Sequence, residues 1–153
     1  MEKEAGRWYL LPSEAQWEYA CRAGSTGRYG FSLGGSRVPK ESDEQELSNY
    51  GWYNGNSDGT PHAVGLKRAS AWGLYDMHGN VWEWCQDYYD RNYYAKSPLD
   101  DPTGPLSGGQ HVIHGGSYFG PARQCRSAYR HYFDPGNWLQ LVGFRVSLVL
   151  ADN

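Results

Sequence analysis

The chain has 153 residues and a formal net charge of −3, a size that fits one domain. Aliphatic residues are scarce, but seven Trp, thirteen Tyr and four Phe predict an aromatic core and exclude a disordered chain. The absence of a basic run excludes a nucleic-acid partner held by phosphate contacts, and without a long apolar stretch or signal-peptide core no membrane insertion is expected.

The first predicted element is a short helix over residues 14–22. Ser13 and Gln16 have the spacing of a capping box, and Gly24 supplies a left-handed stop. Three apolar residues share one helix face by the three-and-four spacing and are predicted to be core: Trp17, Ala20 and Cys21. The two acidic residues of this helix are predicted to be solvated: Glu14 and Glu18.

Residues 24–67 are predicted to be loop, because their glycines and polar turn clusters show neither helical nor strand periodicity. Strands are predicted over residues 81–84, 111–114 and 143–150, where apolar and polar residues alternate or turn signals flank a short apolar run. Three cysteines are too few for a disulfide scaffold, so they are predicted to be buried free thiols: Cys21, Cys85 and Cys125.

Six segments, read in chain order, carry a family resemblance: YLLPSEAQWEYACRAG, AVGLKRASAWGLYDMHGNVWEWCQDYYD, SPLDDPTGP, HGGSY, CRSAYR and GFRVSL. They make the chain similar to the formylglycine-generating enzyme, or sulfatase-modifying factor, family. The resemblance implies an α+β C-type lectin-like fold of the formylglycine-generating-enzyme subtype, loop-rich with a small antiparallel sheet. It also implies a single domain over residues 1–153, in which the N-terminal half of the family domain is missing or trimmed.

The catalytic chemistry of the family is not expected here. In the active enzymes the GGS motif is followed by two cysteines that bind copper, and Gly120 occupies the first of these positions. Cys125 directly precedes Arg126 of the CRSAYR segment, so the resemblance makes it a different cysteine, which is expected to be structural. The alternative for this residue is a reactive thiol whose pKa is lowered by Arg126. Because copper needs two soft thiolates in one place, neither copper nor catalytic residues are expected. The alternative is a fragment of a copper-dependent formylglycine-generating oxidase, or sulfatase-modifying factor, whose other half supplies function.

A calcium site is implied by the loop DMHGNVWE. The resemblance places side-chain oxygens of Asp76 and Glu83, and main-chain carbonyls of Gly79 and Val81, around a structural calcium ion. Calcium accepts such a mixture of carboxylate and carbonyl oxygens. The alternative is a turn capped by Asp76 and Asn80. Three arginines match family positions that brace loops: Arg126, Arg130 and Arg145.

Between residues 111 and 145, fixed family motifs alternate with residues unlike the usual family choices. This pattern resembles the variable proteins of diversity-generating retroelements, whose C-type lectin-like domain displays a C-terminal variable region that ends shortly after GFR. The intervening positions are the predicted ligand-binding residues: Ile113, Tyr118, Phe119, Gly120, Gln124, Tyr129, His131, Tyr132, Phe133, Trp138, Leu139, Gln140 and Leu141. Aromatic residues on a fixed frame make a good binding face. The alternative is that these aromatics belong to the core.

The sequence therefore predicts a non-catalytic ligand-binding variable protein that displays a diversified C-terminal surface. The expected partner is a protein or other surface macromolecule, and the resemblance is compatible with display on a cell or virion surface. The tryptophans of the family motifs are predicted to be core residues: Trp8, Trp17, Trp52, Trp72, Trp82 and Trp84.

Overall fold

A computed structural model of the chain describes residues 3–4, 7–31 and 41–150, and the α+β class predicted from the sequence is confirmed. Seven short strands are β1 Lys3–Glu4, β2 Arg7–Leu10, β3 Trp82–Tyr88, β4 His111–His114, β5 His131–Phe133, β6 Val142–Gly143 and β7 Ser147–Leu150. The helices are α1 Glu14–Arg22 and α2 Glu41–Tyr50, with 3₁₀ turns at Tyr93–Ala95 and Ala122–Cys125. No helix in these ranges is long and apolar enough to span a bilayer.

The strands form two sheets. The first has the order β1-β2-β7, with antiparallel pairs throughout. The second has the order β5-β4-β3-β6, in which β6 runs parallel to β3 and the other pairs are antiparallel. In its register Trp84 lies opposite Ile113, and Ile113 lies opposite His131. The three-residue strand β5, which carries predicted ligand-binding residues, is therefore an edge strand of this sheet.

Helix α1 forms where the sequence predicts it. The capping box is present, because the Ser13 hydroxyl accepts from Gln16 N and the Gln16 side chain accepts from Ser13 N. Ala23 ends the helix in the left-handed conformation (φ 45°), one residue before the predicted stop. The helix packs Trp17 and Cys21 into a core that also holds a residue from each of three other segments: Met77, Cys85 and Val112.

Two predicted elements differ from the structure. The segment predicted as loop contains α2, a polar helix in which Leu47 is the one buried side chain among residues 43–50; residues 32–40 of that segment lie outside the described residues. Leu47 anchors α2 in a second core cluster with Tyr29, Ala122 and Cys125. The predicted strand 143–150 is interrupted between β6 and β7, because Arg145 turns inward to pair with a buried carboxylate.

The aromatic core is smaller than predicted. Trp17 and Trp82 are buried, while Trp8, Trp52 and Trp84 are half-buried. Trp72 is 48% exposed and its ring contacts that of the exposed Tyr19 at a tilted angle, so its assignment to the core was wrong. The prediction of free thiols is confirmed, since all three cysteines are unpaired and buried.

Candidate ligand-binding face and calcium loop

The predicted ligand-binding residues differ widely in exposure. Six of them are solvent-exposed: Phe119, His131, Tyr132, Trp138, Leu139 and Gln140. Four are half-buried: Gln124, Tyr129, Phe133 and Leu141. Three are buried: Ile113, Tyr118 and Gly120. Ten of the thirteen positions are therefore at least partly accessible to a ligand.

The structure brings six of these residues together around one cavity of about 400 Å³: Tyr118, Phe119, Trp138, Leu139, Gln140 and Leu141. Trp138 is 81% exposed and Phe119 is 67% exposed, so both stand on its rim. The buried Tyr118 nevertheless contributes to the lining. We call these six residues the aromatic cavity.

Trp82 connects the aromatic cavity to strand β5. Its backbone N donates to the carbonyl of Leu141 at 2.8 Å, which fixes one cavity wall to β3. Its ring lies 5.5 Å from the ring of His131 and 6.0 Å from that of Tyr129, measured between centroids. Burial lowers the pKa of His131 from its usual value of 6.5. Trp82 is buried, as predicted. The alternation along β3 turns Trp82 and Trp84 to one side of the sheet and places Trp82 beneath this face.

Tyr132 lies on the other side of β5 from His131, as alternation along a strand requires. Its ring is 4.3 Å from that of Tyr89. The guanidinium of Arg130 stacks over Tyr89 at 5.1 Å and over Tyr94 at 4.6 Å. The ring of Tyr132 also lies 5.3 Å from that of His131, so the exposed rings of β5 contact each other and form a continuous patch that extends to Tyr89.

Two predicted positions cannot contact a ligand in this fold. Ile113 is 1% exposed, because it sits in the central strand β4 between Trp84 and His131 of the flanking strands. Gly120 is held by its backbone, which accepts from Asn54 N, and a Cβ at this position would meet the Gln124 side chain at 2.3 Å. Ile113 is therefore a core residue, and Gly120 is a tight-turn residue.

A buried ion pair holds the chain just before β5. Glu14 is 3% exposed, so the prediction that it is solvated was wrong. Its Oε2 accepts from Arg130 at 2.7 Å, and its Oε1 lies 2.9 Å from Nε2 of His114. Burial alone would raise the pKa of Glu14, but the hydrogen bonds with His114 and Arg130 outweigh it and hold the pKa below its usual value of 4.5. The predicted bracing role of Arg130 is confirmed.

The four residues of the predicted calcium loop line one cavity of about 300 Å³: Asp76, Gly79, Val81 and Glu83. Asp76 Oδ2 accepts from Gly65 N at 2.7 Å, whereas its buried Oδ1 has no hydrogen-bond partner within the described residues. An orphaned carboxylate oxygen of this kind fits a hard cation.

Glu83 fits a cation less directly. Its Oε2 accepts from Nε1 of Trp17 at 2.6 Å, and Arg145 donates to both of its oxygens. The carboxylate charge is thus already paired, although Oε1 accepts from Arg145 alone and retains a lone pair. Residues 3–4, 7–31 and 41–150 contain no cluster of three or more His, Cys, Asp or Glu side chains arranged for a metal ion. Calcium would therefore need main-chain carbonyls for most of its ligands.

Cys125 has the surroundings of a structural cysteine. It is fully buried, and burial raises its pKa from 9.0 to about 12. Cys21 is equally buried, with a pKa raised by burial to about 12. A thiolate is the form that attacks substrates and binds soft metals, so neither side chain is activated for such chemistry.

Comparisons with known proteins agree with the fold. The model of the sulfatase-modifying factor enzyme 1-like domain matches residues 2–149. The chain is 37% identical over 142 residues to the formylglycine-generating enzyme of Streptomyces coelicolor, covering 88% of this chain and 45% of that enzyme. It is 39% identical over 138 residues to the serine/threonine-protein kinase Pkn1 of Chlamydia trachomatis, covering 88% of this chain and 20% of the kinase.

Two solved structures are similar. Variable protein 1 of Treponema denticola superposes with a TM-score of 0.73 at 35% identity, covering 90% of this chain and 46% of that protein. PvdO from Pseudomonas aeruginosa superposes with a TM-score of 0.75 at 30% identity, covering 92% of this chain and 52% of that protein. The chain spans about half the length of these relatives. With its α+β C-type lectin-like fold, it belongs to the sulfatase-modifying factor enzyme 1-like family.

Proposed function

We propose that the chain is a non-catalytic ligand-binding variable protein, a single domain that displays a diversified surface within residues 111–145. The observation that carries the proposal is that ten of the thirteen intervening positions are accessible beside a buried set of motif residues. The motif residues Ser117, Cys125 and Ser127 are at most 1% exposed. Other motif residues, such as Ala128 and Phe144, are exposed. Most intervening positions, including Phe119 and Trp138, are accessible. Similarity to a variable protein of Treponema denticola supports the same function.

The partner is a protein or other surface macromolecule. A face with several exposed aromatic side chains on a fixed backbone gives large contact area at small entropic cost, which suits macromolecular recognition. The accessible positions also span two sides of β5 and the aromatic cavity, a wider area than one small molecule covers.

Sequencing of the gene in sibling copies and a search for a template repeat at the same locus test this function. We expect substitutions at adenine-containing codons of the accessible positions, such as those of Phe119, His131 and Tyr132. We expect none at Ile113, which is buried in the central strand β4. A tail that is invariant between copies, with no template repeat, would contradict the proposal.

A second candidate is a fragment of a copper-dependent formylglycine-generating oxidase. The similarity to the Streptomyces coelicolor enzyme favours it. The buried, unactivated thiols of Cys21 and Cys125 oppose it. The discriminating experiment incubates the protein with copper and a cysteine-containing sulfatase peptide and measures the aldehyde product by mass spectrometry. We expect no product, and conversion of the peptide would establish the oxidase.

We also propose a structural calcium ion at the loop of residues 76–83. Asp76 Oδ1 and the carbonyls of Gly79 and Val81 would hold it, with Glu83 contributing its remaining lone pair. A bound calcium ion would supply electrostatic cross-linking of this loop and no reaction chemistry. It would also remove the cost of the unpaired, buried Asp76 oxygen.

A further inference from the structure

The aromatic cavity is lined by uncharged side chains only. Three are aromatic, two are leucines, and Gln140 is the one amide. Apart from Gln140, the polar side-chain groups in the lining are the hydroxyl of Tyr118 and the indole N–H of Trp138. The chemistry of the lining therefore restricts the chemistry of what can bind there.

Two common ligand classes do not match this lining. A phosphate or sulfate group requires a cation or an array of N–H donors, and none of the six side chains carries positive charge. A saccharide can place its C–H face on the exposed rings of Phe119 and Trp138, but the lining offers only three polar side-chain groups to its hydroxyls: those of Gln140, Tyr118 and Trp138. Specific recognition of a glycan depends on pairing its hydroxyl groups, so the lining favours an apolar occupant over a glycan.

The walls of the cavity are held in place before any ligand arrives. On one side Tyr118 N donates to Asn80 O at 2.7 Å, and the hydroxyl of Ser57 donates to Tyr118 O at 2.7 Å. On the other side Trp82 N donates to Leu141 O. A preformed apolar cavity avoids the entropic cost of ordering loops on binding. The exposed rings of Phe119 and Trp138 remain available to be covered.

We propose that the aromatic cavity receives an uncharged aromatic or large aliphatic side chain of a protein ligand. This inference rests on the proposed ligand-binding function and names the partner class for one part of the face. Cavities of about 300–1,000 Å³ are typical of ligand sites, and 400 Å³ admits an indole or phenyl ring. Aromatic anchors seated in preformed pockets carry most of the energy of many protein interfaces.

The test is a titration of the ¹⁵N-labelled protein with three small probes, followed by two-dimensional NMR. The probes are N-acetyl-L-tryptophanamide, N-acetyl-L-lysinamide and methyl α-D-mannopyranoside. We expect saturable shifts with the tryptophan amide alone, with Kd in the millimolar range expected of a fragment. The shifts should map to residues 118–119 and 138–141. Saturation by the mannoside or the lysine amide, or no shift with the tryptophan amide, would overturn the inference.

Trp138→Ala should weaken binding of the tryptophan amide at least about tenfold, because it removes the largest side chain on the rim of the cavity. Trp138 is largely solvent-exposed, so the variant should fold normally. Trp72→Ala is the matched control, because Trp72 is also exposed but lies outside the cavity lining. If Trp72→Ala weakened binding of the tryptophan amide as much as Trp138→Ala, the probe would not be bound specifically at the aromatic cavity, and the inference would be overturned.

This experiment and the sequencing of gene copies can fail separately. If the tail varies between gene copies but the tryptophan amide does not bind, the inference about the cavity is contradicted, while the proposed function as a variable protein is not. Binding of the tryptophan amide by a protein with an invariant tail would make the cavity a fixed apolar site and contradict the proposed diversification.

Discussion

Removal of the Glu14 carboxylate tests how the edge strand of the binding face is held. Glu14 connects α1 to Arg130, which directly precedes β5, and to His114 in β4. Glu14→Ala would leave the His114 ring without a hydrogen-bond partner among the described residues. It would leave Arg130 without a counter-charge and with only the Asp90 carbonyl as acceptor. Breaking a buried ion pair from one side costs about 3–5 kcal/mol. Because the Arg130 side chain is 14% exposed and can turn toward water, we expect the lower end, about 3 kcal/mol.

The measurement is urea unfolding at pH 7, followed by tryptophan fluorescence and circular dichroism. Glu18→Ala is the matched control, since Glu18 lies on the same helix and pairs with Arg22 at a more exposed position. That pair is worth about 0.5 kcal/mol or less. If Glu14→Ala lowered the free energy of unfolding no more than Glu18→Ala, the buried ion pair would not stabilise the fold and the reasoning would be refuted.

The pH dependence provides a second test of the same ion pair. The pKa of Glu14 is lowered in the folded state, so its contribution is present above its usual pKa of 4.5 and is lost as the pH falls through the folded pKa. Glu14→Gln cannot ionise and lacks this dependence. The difference in unfolding free energy between the wild type and Glu14→Gln should therefore shrink as the pH falls below 4.5. A difference that stayed constant down to acid unfolding would contradict the assignment.

Three further perturbations address other parts of the fold. Burial lowers the pKa of His78 from 6.5 to about 4. The free energy of unfolding should therefore be highest above pH 6.5 and fall by about 3 kcal/mol as the pH drops to 4. In urea unfolding, His78→Gln should show a flatter pH profile than the wild type. Chelation of calcium should lower the melting temperature of the wild type but not that of Asp76→Ala. An unchanged wild-type melting curve would contradict the proposed calcium site. Gly116→Ala should cost about 3 kcal/mol, because φ is +78° and its Cβ would lie 2.7 Å from Sγ of Cys125. Gly109→Ala, with open space around its Cβ, is the control in the same unfolding assay.

Local signals in the sequence predict helix α1, but they do not predict the burial of its acidic residue Glu14. The capping box and the core face of α1 depend on contacts within about one helical turn, which the sequence displays directly. The burial of Glu14 depends on His114 and Arg130, which are 100 and 116 residues away along the chain. Acidic residues are solvated by default, and only these distant partners reverse that default.

Helix α2 was missed for the opposite reason. Its described side chains give almost no amphipathic pattern, because Leu47 alone is buried. Leu47 is its buried apolar anchor in the cluster with Tyr29 and Ala122. The ring of Tyr50 stacks on Phe31 at the end of the helix. Periodicity requires several apolar positions before it becomes visible. The thiols could be predicted because three cysteines without a scaffold pattern are most often buried.

For the candidate face, the pattern of motifs selects the segment of residues 111–145 but does not predict how its residues are arranged in space. Ile113 and His131 are both intervening positions, yet one lies in a central strand and the other in an edge strand. Strand order arises from long-range pairing and is absent from a linear pattern of motifs. The cavity likewise forms because residues 118–119 and 138–141, about twenty positions apart, meet beside Trp82.

The alternation along β3 explains how a changing surface could coexist with a fixed fold. Glu83 points inward and is held by Trp17 and Arg145, while its neighbour Trp82 points to the side that carries His131. In β4, His114 likewise reaches Glu14 inside the protein. Substitutions at exposed positions such as those of the cavity rim touch none of these ion pairs. The polar core can thus specify one backbone while the outer side chains change, which is the physical requirement for a variable binding protein.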